Sequence, residues 1–357
     1  MSYAYRYINL LTIICITFLS QRASAQLSKT HYIPPLTNAD SNSSNPSDQY
    51  FYISTPSNTD IAYTIIPVGQ PSSSYITGLV SNSNPSEIAI GSGNTQLFVP
   101  PNQSSTVVFN KGYIIEAESQ VYVSVRMNAG NNLSQAGALV SKGSSALGTV
   151  FRVGAFTNAS GRTFNNQGVP SENLLSFVSV MATEDLTTVV FSDILNDTEI
   201  ENFGGNFPLN IVLNKGESYT IAMNSYSVTF PDNNKDGLIG ALVTSDKDIV
   251  VNCGSANGSF HNGDGRDYGM DQIVGVSKIG SEYIFVKGDG DNNWENILIV
   301  GHSDNTSISI NGNPAITTIN AGEYYVIEGN NYSANENMYV ETSQDVFVYQ
   351  GIGATNN

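Results

Sequence analysis

The chain has 357 residues, with 14 Lys+Arg against 31 Asp+Glu and a formal net charge of −17. That field repels polyanions and no Lys/Arg cluster interrupts it, which argues against nucleic acid as a partner. Tyrosine (19), phenylalanine (15) and glycine (32), set among Asn and Ser, favour strands and turns over helices, and no stretch shows a capped apolar period of 3.6 residues.

At the N-terminus, Arg6 precedes an apolar run from Ile8 to Leu19, and Ala23-Ser24-Ala25 forms an A-x-A cleavage signal. Residues 1–25 therefore read as a secretory signal peptide. The apolar run is short for a membrane-spanning helix, and no second candidate follows, so no integral membrane segment is expected after cleavage. Cleavage would remove Arg6 and Arg22 and no acidic residue, moving the formal charge from −17 to −19. It would also leave Cys253 as the only cysteine, so no intrachain disulfide is expected and stability must come from burial. The segment 26–49, above all Thr37 to Asp48, is expected as a polar linker with little to bury.

From Tyr50 onward short apolar runs alternate with Asn/Gly/Ser/Pro turns, the pattern of antiparallel sandwiches or barrels. Three segments align without a gap: Glu116 to Val125 (EAESQVYVSV), Thr244 to Val251 (TSDKDIVV) and Glu341 to Tyr349 (ETSQDVFVY). Upstream of each lies an extended run closed by Asn-x-Gly, at Val107–Gly112, Ile211–Gly216 and Thr317–Gly322, where glycine permits the positive φ of a tight turn. Leu147–Val153 is echoed by Ile279–Val286. Ile76–Asn82 and Asn296–His302 form a further pair, each followed by an alternating strand, Ser86–Ile90 or Thr306–Ile310. In the latter, Ile308 and Ile310 fall on one face and two serines on the other, as a half-buried sheet requires.

A period of roughly 100 to 130 residues is too long for a solenoid and suits domain-sized sets of six or seven strands. The expected fold is thus all-β, with tandem antiparallel β-sandwich-like repeats at 50–135, 136–270 and 271–357. A β-propeller-like arrangement of the repeats is the alternative. The third repeat is expected to be truncated, because the chain stops soon after Val346–Tyr349.

Leu242–Gly254 (LVTSDKDIVVNCG), Met270–Val286 (MDQIVGVSKIGSEYIFV) and Asp304–Ile310 (DNTSISI) resemble the IgGFc-binding protein N-terminal domain family, and the likeness extends over roughly Tyr50 to Gly353. The resemblance implies an exported module for surface display and binding. The cysteine-rich modules of the animal proteins of that name have no counterpart here, so Fc binding itself is not implied.

The strongest local motif is Asp232-Asn-Asn-Lys-Asp-Gly-Leu-Ile239, in which Asp232, Asn234 and Asp236 offer alternate oxygens to calcium and Gly237 allows a sharp turn. An EF-hand-type loop would need a bidentate glutamate where Val243 stands, and a plain hairpin turn is the competing reading. Asp289 to Asn293 (DGDNN) is a weaker version of the same pattern. Calcium is the only cofactor considered. His31, His261 and His302 have no metal-ligand spacing, and Cys253 reads as a buried small residue rather than a nucleophile paired with His261. Glu295 beside Trp294, the only tryptophan, is where a glycosidase carboxylate would be sought.

The reading that results is a secreted, extracellular or cell-surface binding or adhesion module, not an enzyme. Its ligand would be an extracellular protein or glycan engaged by loops, notably Asp193–Phe207 and Tyr226–Gly240. A carbohydrate-active hydrolase, or a structural spacer for a missing C-terminal domain, are the alternatives.

Overall fold

The computed structural model describes residues 26–38, 45–129, 135–158, 175–223, 234–259 and 267–352. From the N-terminus come β1 (Ser28–Ile33), β2 (Leu36–Thr37), β3 (Pro46–Ser54), β4 (Ile61–Pro67), β5 (Ile76–Val80) and β6 (Ser86–Gly91). They are followed by β7 (Phe98–Val99), β8 (Val107–Val108), β9 (Tyr113–Ala129) and β10 (Gln135–Val140). A second run holds β11 (Gly148–Arg152), β12 (Ser176–Ala182), β13 (Thr187–Ser192), β14 (Leu209–Leu213), β15 (Ser218–Ala222), β16 (Leu242–Gly258) and β17 (Asp267–Ile273). The third holds β18 (Gly280–Val286), β19 (Ile297–Gly301), β20 (Thr306–Ile310), β21 (Thr317–Ile319), β22 (Tyr324–Ile327) and β23 (Asn337–Gln350). Among the described residues helix is confined to short 3-10 turns.

Beside a two-stranded sheet of β2 and β7, three large sheets repeat one diagram. Their orders are β5-β4-β9-β3-β6, β14-β13-β16-β12-β15 and β21-β20-β23-β19-β22, so the strands correspond one to one in chain order. β1, β11 and β18 also pair with the long strand of their own unit, and so do β10 and β17. The third unit has no counterpart of β10 and β17 among the described residues.

In each unit the long strand belongs to two layers. The first part of β9 pairs with β1 and β4, and its second part with β3 and β10. Between the parts the register against the first strand jumps, from Thr30↔Glu116 to Ser28↔Val121. The same jump separates Val150↔Thr244 from Gly148↔Ile249, and Glu282↔Glu341 from Gly280↔Val346. A bulge of this kind bends a strand and re-aims it. The polar tetrads of the aligned motifs, Ala117–Gln120, Ser245–Asp248 and Thr342–Asp345, are therefore the corners at which the strand crosses from layer to layer. Side chains stabilise the corners in the same way: Ser245 Oγ donates to the Lys247 carbonyl and Thr342 Oγ1 to the Gln344 carbonyl, both at 2.7 Å. Asp246 Oδ1 accepts from Thr188 N (2.7 Å), as Ser343 Oγ does from Ser307 N (2.9 Å).

Each pair of layers closes on its own core. Phe51, Ile53, Ile65 and Val123 fill the first, Phe151, Val180, Val189 and Val251 the second, and Ile299, Ile308, Val340 and Val346 the third. Alternation puts them there: β4 and β20 bury every second side chain, Ile308 and Ile310 included. The units are sandwiches of antiparallel strands, not propeller blades.

Four expectations need correction. The segment 26–49 is not a bare linker: β1 pairs with β9, and Ile33 and Leu36 are fully buried, because a few apolar residues suffice to complete the first layer. The first sheet extends past residue 135, since β10 lies on β9. Asn296–His302 contains β19 and corresponds to β3, whereas Ile76–Asn82 contains β5, whose counterpart is β21. Both are apolar runs followed by an alternating strand, and period alone cannot tell one strand of a sandwich from the next. Finally, the Asn-x-Gly turns do share one backbone conformation, with φ of +83°, +82° and +81° at Gly112, Gly216 and Gly322. Gly216 and Gly322 precede β15 and β22, but Gly112 precedes the long strand, and β8 pairs with β15 of the next unit.

Candidate binding surface

The candidate residues nominated from the sequence are dispersed. Asp232 lies outside the described residues. Asn234 is buried, its Oδ1 accepting from Glu199 N (2.8 Å) and its Nδ2 donating to the Glu199 carbonyl (3.3 Å). Asp236 Oδ2 accepts from the Tyr324 hydroxyl at 2.5 Å. Burial raises the Asp236 carboxyl above the ordinary value, and the Tyr324 bond pulls it partly back. This turn thus joins the second unit to the third. Gly240, just beyond it at φ +84°, comes so near that a Cβ there would lie 1.9 Å from the Gly322 carbonyl oxygen. Among the described residues no group of three or more His, Cys, Asp or Glu is placed to hold a metal ion.

Glu295 is fully buried, and its two oxygens accept from Gly288 N and Gly290 N, both at 3.0 Å, organising the 288–295 loop that contains Asp289 to Asn293. Trp294 packs beside it among Leu298, Val300, Phe347 and Ile239, in the contact between the second and third units. Cys253 is buried, and burial foremost, then the Asp271 charge, pushes its thiol up to about 12, so it holds its proton at neutral pH. His261 lies outside the described residues. His302 is lowered from its ordinary value by partial burial and then by the Arg152 charge.

His31 is fully buried, its Nε2–H donating to the Val121 carbonyl (3.1 Å), which leaves Nδ1 facing the Ser141 hydroxyl (2.9 Å). Burial drives it down to about 4. Nearby, Gln272 Nε2 donates to the Tyr32 carbonyl (2.9 Å) and Asn252 Nδ2 to the Pro34 carbonyl (2.8 Å), tying the second unit to the first.

The site that stands out is defined by register, which lets the outer face of the second layer be compared across units. In the first unit it is Tyr50, Tyr52 and Ser54 on β3 opposite Arg126, Ser124 and Tyr122 on β9. In the second the same places hold Phe177, Ser179 and Met181 opposite Gly254, Asn252 and Val250. In the third, Leu298 and Val300 face Tyr349 and Phe347. The second and third faces are docked. Phe177 joins the core of the first unit, Met181 packs on Val68 and Ile114, and Leu298, Val300 and Phe347 pack with Ile239, Ala155 and Phe156 of the second unit. The corresponding face of the first unit is open, with Tyr122 40% exposed and Arg126 and Glu87 exposed.

That open face is aromatic and polar-tipped. The Arg126 guanidinium lies 4.8 Å from the Tyr52 ring centroid, and the Tyr50 and Tyr52 rings are 6.2 Å apart. A groove of about 480 Å³ runs along it between Tyr52, Glu87, Tyr122, Arg126 and Val140. The Tyr52 hydroxyl is raised, first by desolvation, then by its hydrogen bond to Glu87 and that carboxylate's charge, with Arg126 opposing. A guanidinium in cation–π contact with a ring keeps N–H donors that can meet an acceptor. None of these residues was singled out from the sequence. The signal lay in the aligned motif, where the outward positions of Val121-Tyr-Val-Ser-Val-Arg126 alternate with apolar ones, while Ile249-Val-Val and Val346-Phe-Val are apolar on both faces.

The described residues thus form tandem two-layer β-sandwiches, of which two present this face to a neighbouring unit and one leaves it open. A family model described as IgGFc binding protein matches residues 136–357, more than half of the chain, and the chain belongs to that family. The match takes in the second and third sheets and leaves most of the first outside it. No curated protein and no solved structure matches.

Proposed function

We propose that this protein is exported and acts as an extracellular or cell-surface binding protein, adhesive in character, whose protein ligand docks on the Tyr50/Tyr52/Tyr122/Arg126 face. The observation that carries this reading is the equivalence of that face with two others that are buried against a neighbouring sandwich: one frame uses this surface for protein contact twice and exposes it once. Tyrosine and arginine, which dominate it, are the side chains that bring large contact area with a polar tip to protein interfaces. Export is supported by the Arg6, Ile8–Leu19 and Ala23-Ser24-Ala25 pattern, and the acidic surface suits solubility outside the cell.

Immunoglobulin Fc is the first ligand to test, because the family description names it. The experiment is a binding screen of the mature chain against immobilised Fc, other extracellular proteins and a glycan panel, with Arg126→Ala and Tyr52→Ala in parallel. A protein ligand whose affinity falls about tenfold or more in either variant supports the reading. Binding unaffected by both variants, or glycan turnover abolished by Glu295→Gln, contradicts it.

A further inference from the structure

The linkers that join successive units are built alike. Gly143-Ser-Ser-Ala-Leu-Gly148 leads from the first unit to the second and Gly275-Val-Ser-Lys-Ile-Gly280 from the second to the third, each with a 3-10 turn, at Gly143–Ala146 and Val276–Lys278. In both, the leading glycine seats on the first strand of the unit it leaves. A Cβ at Gly143 would lie 2.4 Å from Ser28 Cβ, and one at Gly275 would lie 3.2 Å from Gly148 Cα. Ser28 and Gly148 are the same place in the two units, since they pair with Val121 and Ile249 just past the corner of the long strand. Each unit thereby keeps a trough between its linker, its first strand and its corner.

Lys29, Tyr32, Ser119, Gln120 and Ser144 line the first trough, of about 570 Å³, and Ser144, Thr149, Asp248, Ser277 and Lys278 the second, of about 360 Å³. Register makes them equivalent, Lys29 answering to Thr149 and Gln120 to Asp248. They also adjoin, because Ser144 and Leu147 line both. One polar surface is therefore repeated along the molecule with the period of the units.

Hydroxyl, amide and charged side chains predominate in these walls over Leu27, Tyr32, Leu147 and Val276. Such groups match sugar hydroxyls, which both donate and accept, whereas an extended peptide calls for a row of subsites for its alternate side chains. Lys29 and Lys278 are exposed, and neither is in an ion pair among the described residues, so each ammonium can donate to a sugar oxygen. Asp248, also exposed, can accept. The net charge of −17 disfavours a polyanionic glycan.

We propose that the two troughs form one continuous site for a linear neutral polysaccharide, which crosses the joint between the first and second units from one corner to the next. A sugar chain long enough to lie in both troughs gains the second as an intramolecular contact, so affinity depends on length. The site shares no lining residue with the Tyr52–Arg126 groove and does not depend on the function proposed for that face.

The test titrates the full mature chain by calorimetry with cello-, chito-, manno-, laminari- and maltohexaose and with the disaccharide of each. At least one hexasaccharide should bind saturably and one to one, with a Kd of about 1 mM or below, and its disaccharide about tenfold more weakly or not at all. Gln120→Ala and Asp248→Ala, in different troughs and both on exposed side chains, should each weaken that hexasaccharide about threefold or more while leaving the melting temperature within about 2 °C. Ser144→Trp, which fills the wall common to both troughs, should abolish binding. Absence of saturable binding by every hexasaccharide overturns the proposal, and so does binding that all three variants leave intact, which would place the sugar elsewhere. A disaccharide that binds as tightly as its hexasaccharide contradicts a continuous site. Capture of hexagalacturonate with none of the neutral sugars would also overturn the proposal, by assigning the lysines to an anionic ligand.

Discussion

Tyr50, Tyr52 and Tyr122 in the first unit and Phe177, Ser179 and Val250 in the second occupy the same places on the same frame, yet the first set is half-buried or exposed and the other fully buried. The strands, their order and the corner in the long strand are shared, so backbone geometry does not decide the outcome. Side-chain chemistry does. Phe177 and Met181 have no polar tip and find apolar cover on the first unit, whereas the tyrosines, Ser124 and Arg126 can stand in water with their polar ends solvated. A repeated sandwich thus presents either a joint or an open face, depending on a few side chains at fixed positions.

The widest gap between the two faces should appear on truncation. Phe177→Ala is expected to cost about 3–5 kcal/mol in urea unfolding, because a fully buried aromatic leaves a cavity at the joint. Tyr50→Ala, its counterpart, should cost less than about 1 kcal/mol. Equal costs would mean that the two faces are not in different environments.

Next in size is the pH response of the joint between the first and second units. His31 is held neutral, at about 4 in the folded protein against 6.5 for the free side chain. The unfolded chain therefore takes up a proton below pH 6.5 while the folded one resists until about pH 4. Stability from this group is complete above pH 6.5 and is lost as the pH falls towards 4, by roughly 3 kcal/mol. In His31→Gln that part of the pH dependence should vanish, and unfolding midpoints at pH 7 and pH 4.5 provide the check.

The joint between the second and third units has the opposite sign. Asp236 titrates above the ordinary carboxylate value because it is buried, so the folded state keeps its proton longer and this contribution weakens as pH rises through that window. The Tyr324 hydrogen bond limits the loss. Tyr324→Phe is expected to destabilise by about 1–3 kcal/mol at pH 7, and by less at pH 3.5, where the carboxyl is protonated. A pH-independent loss would assign the effect to packing. The smallest effect belongs to Arg126→Ala, which removes an exposed cation from the first face and should change stability by about 0.5 kcal/mol or less while altering ligand binding.

Much of this frame is legible in the sequence. The motif at Glu116, Thr244 and Glu341 identifies the long strand of every unit, because a polar tetrad followed by an apolar run is what a strand needs to turn a corner and enter a second layer. Asn-x-Gly likewise reports its own turn wherever it stands. Placement was less legible. The counterpart of Asn296–His302 is β3, which no local pattern distinguishes from β5, and β1 is too short to stand out from a polar stretch. The proposed binding face was hidden for another reason. Its residues come from β3, β6 and β9, far apart in the chain, and are recognisable only once register aligns them with the docked faces.

Tyrosine and phenylalanine modification by hydroxyl radicals, read by mass spectrometry on the mature chain, tests the difference between the faces most directly. Tyr50, Tyr52 and Tyr122 should be labelled fast while Phe177 and Phe347 are protected, and Arg126→Ala should expose Tyr52 further. Comparable labelling at Tyr50 and Phe177 would contradict the account.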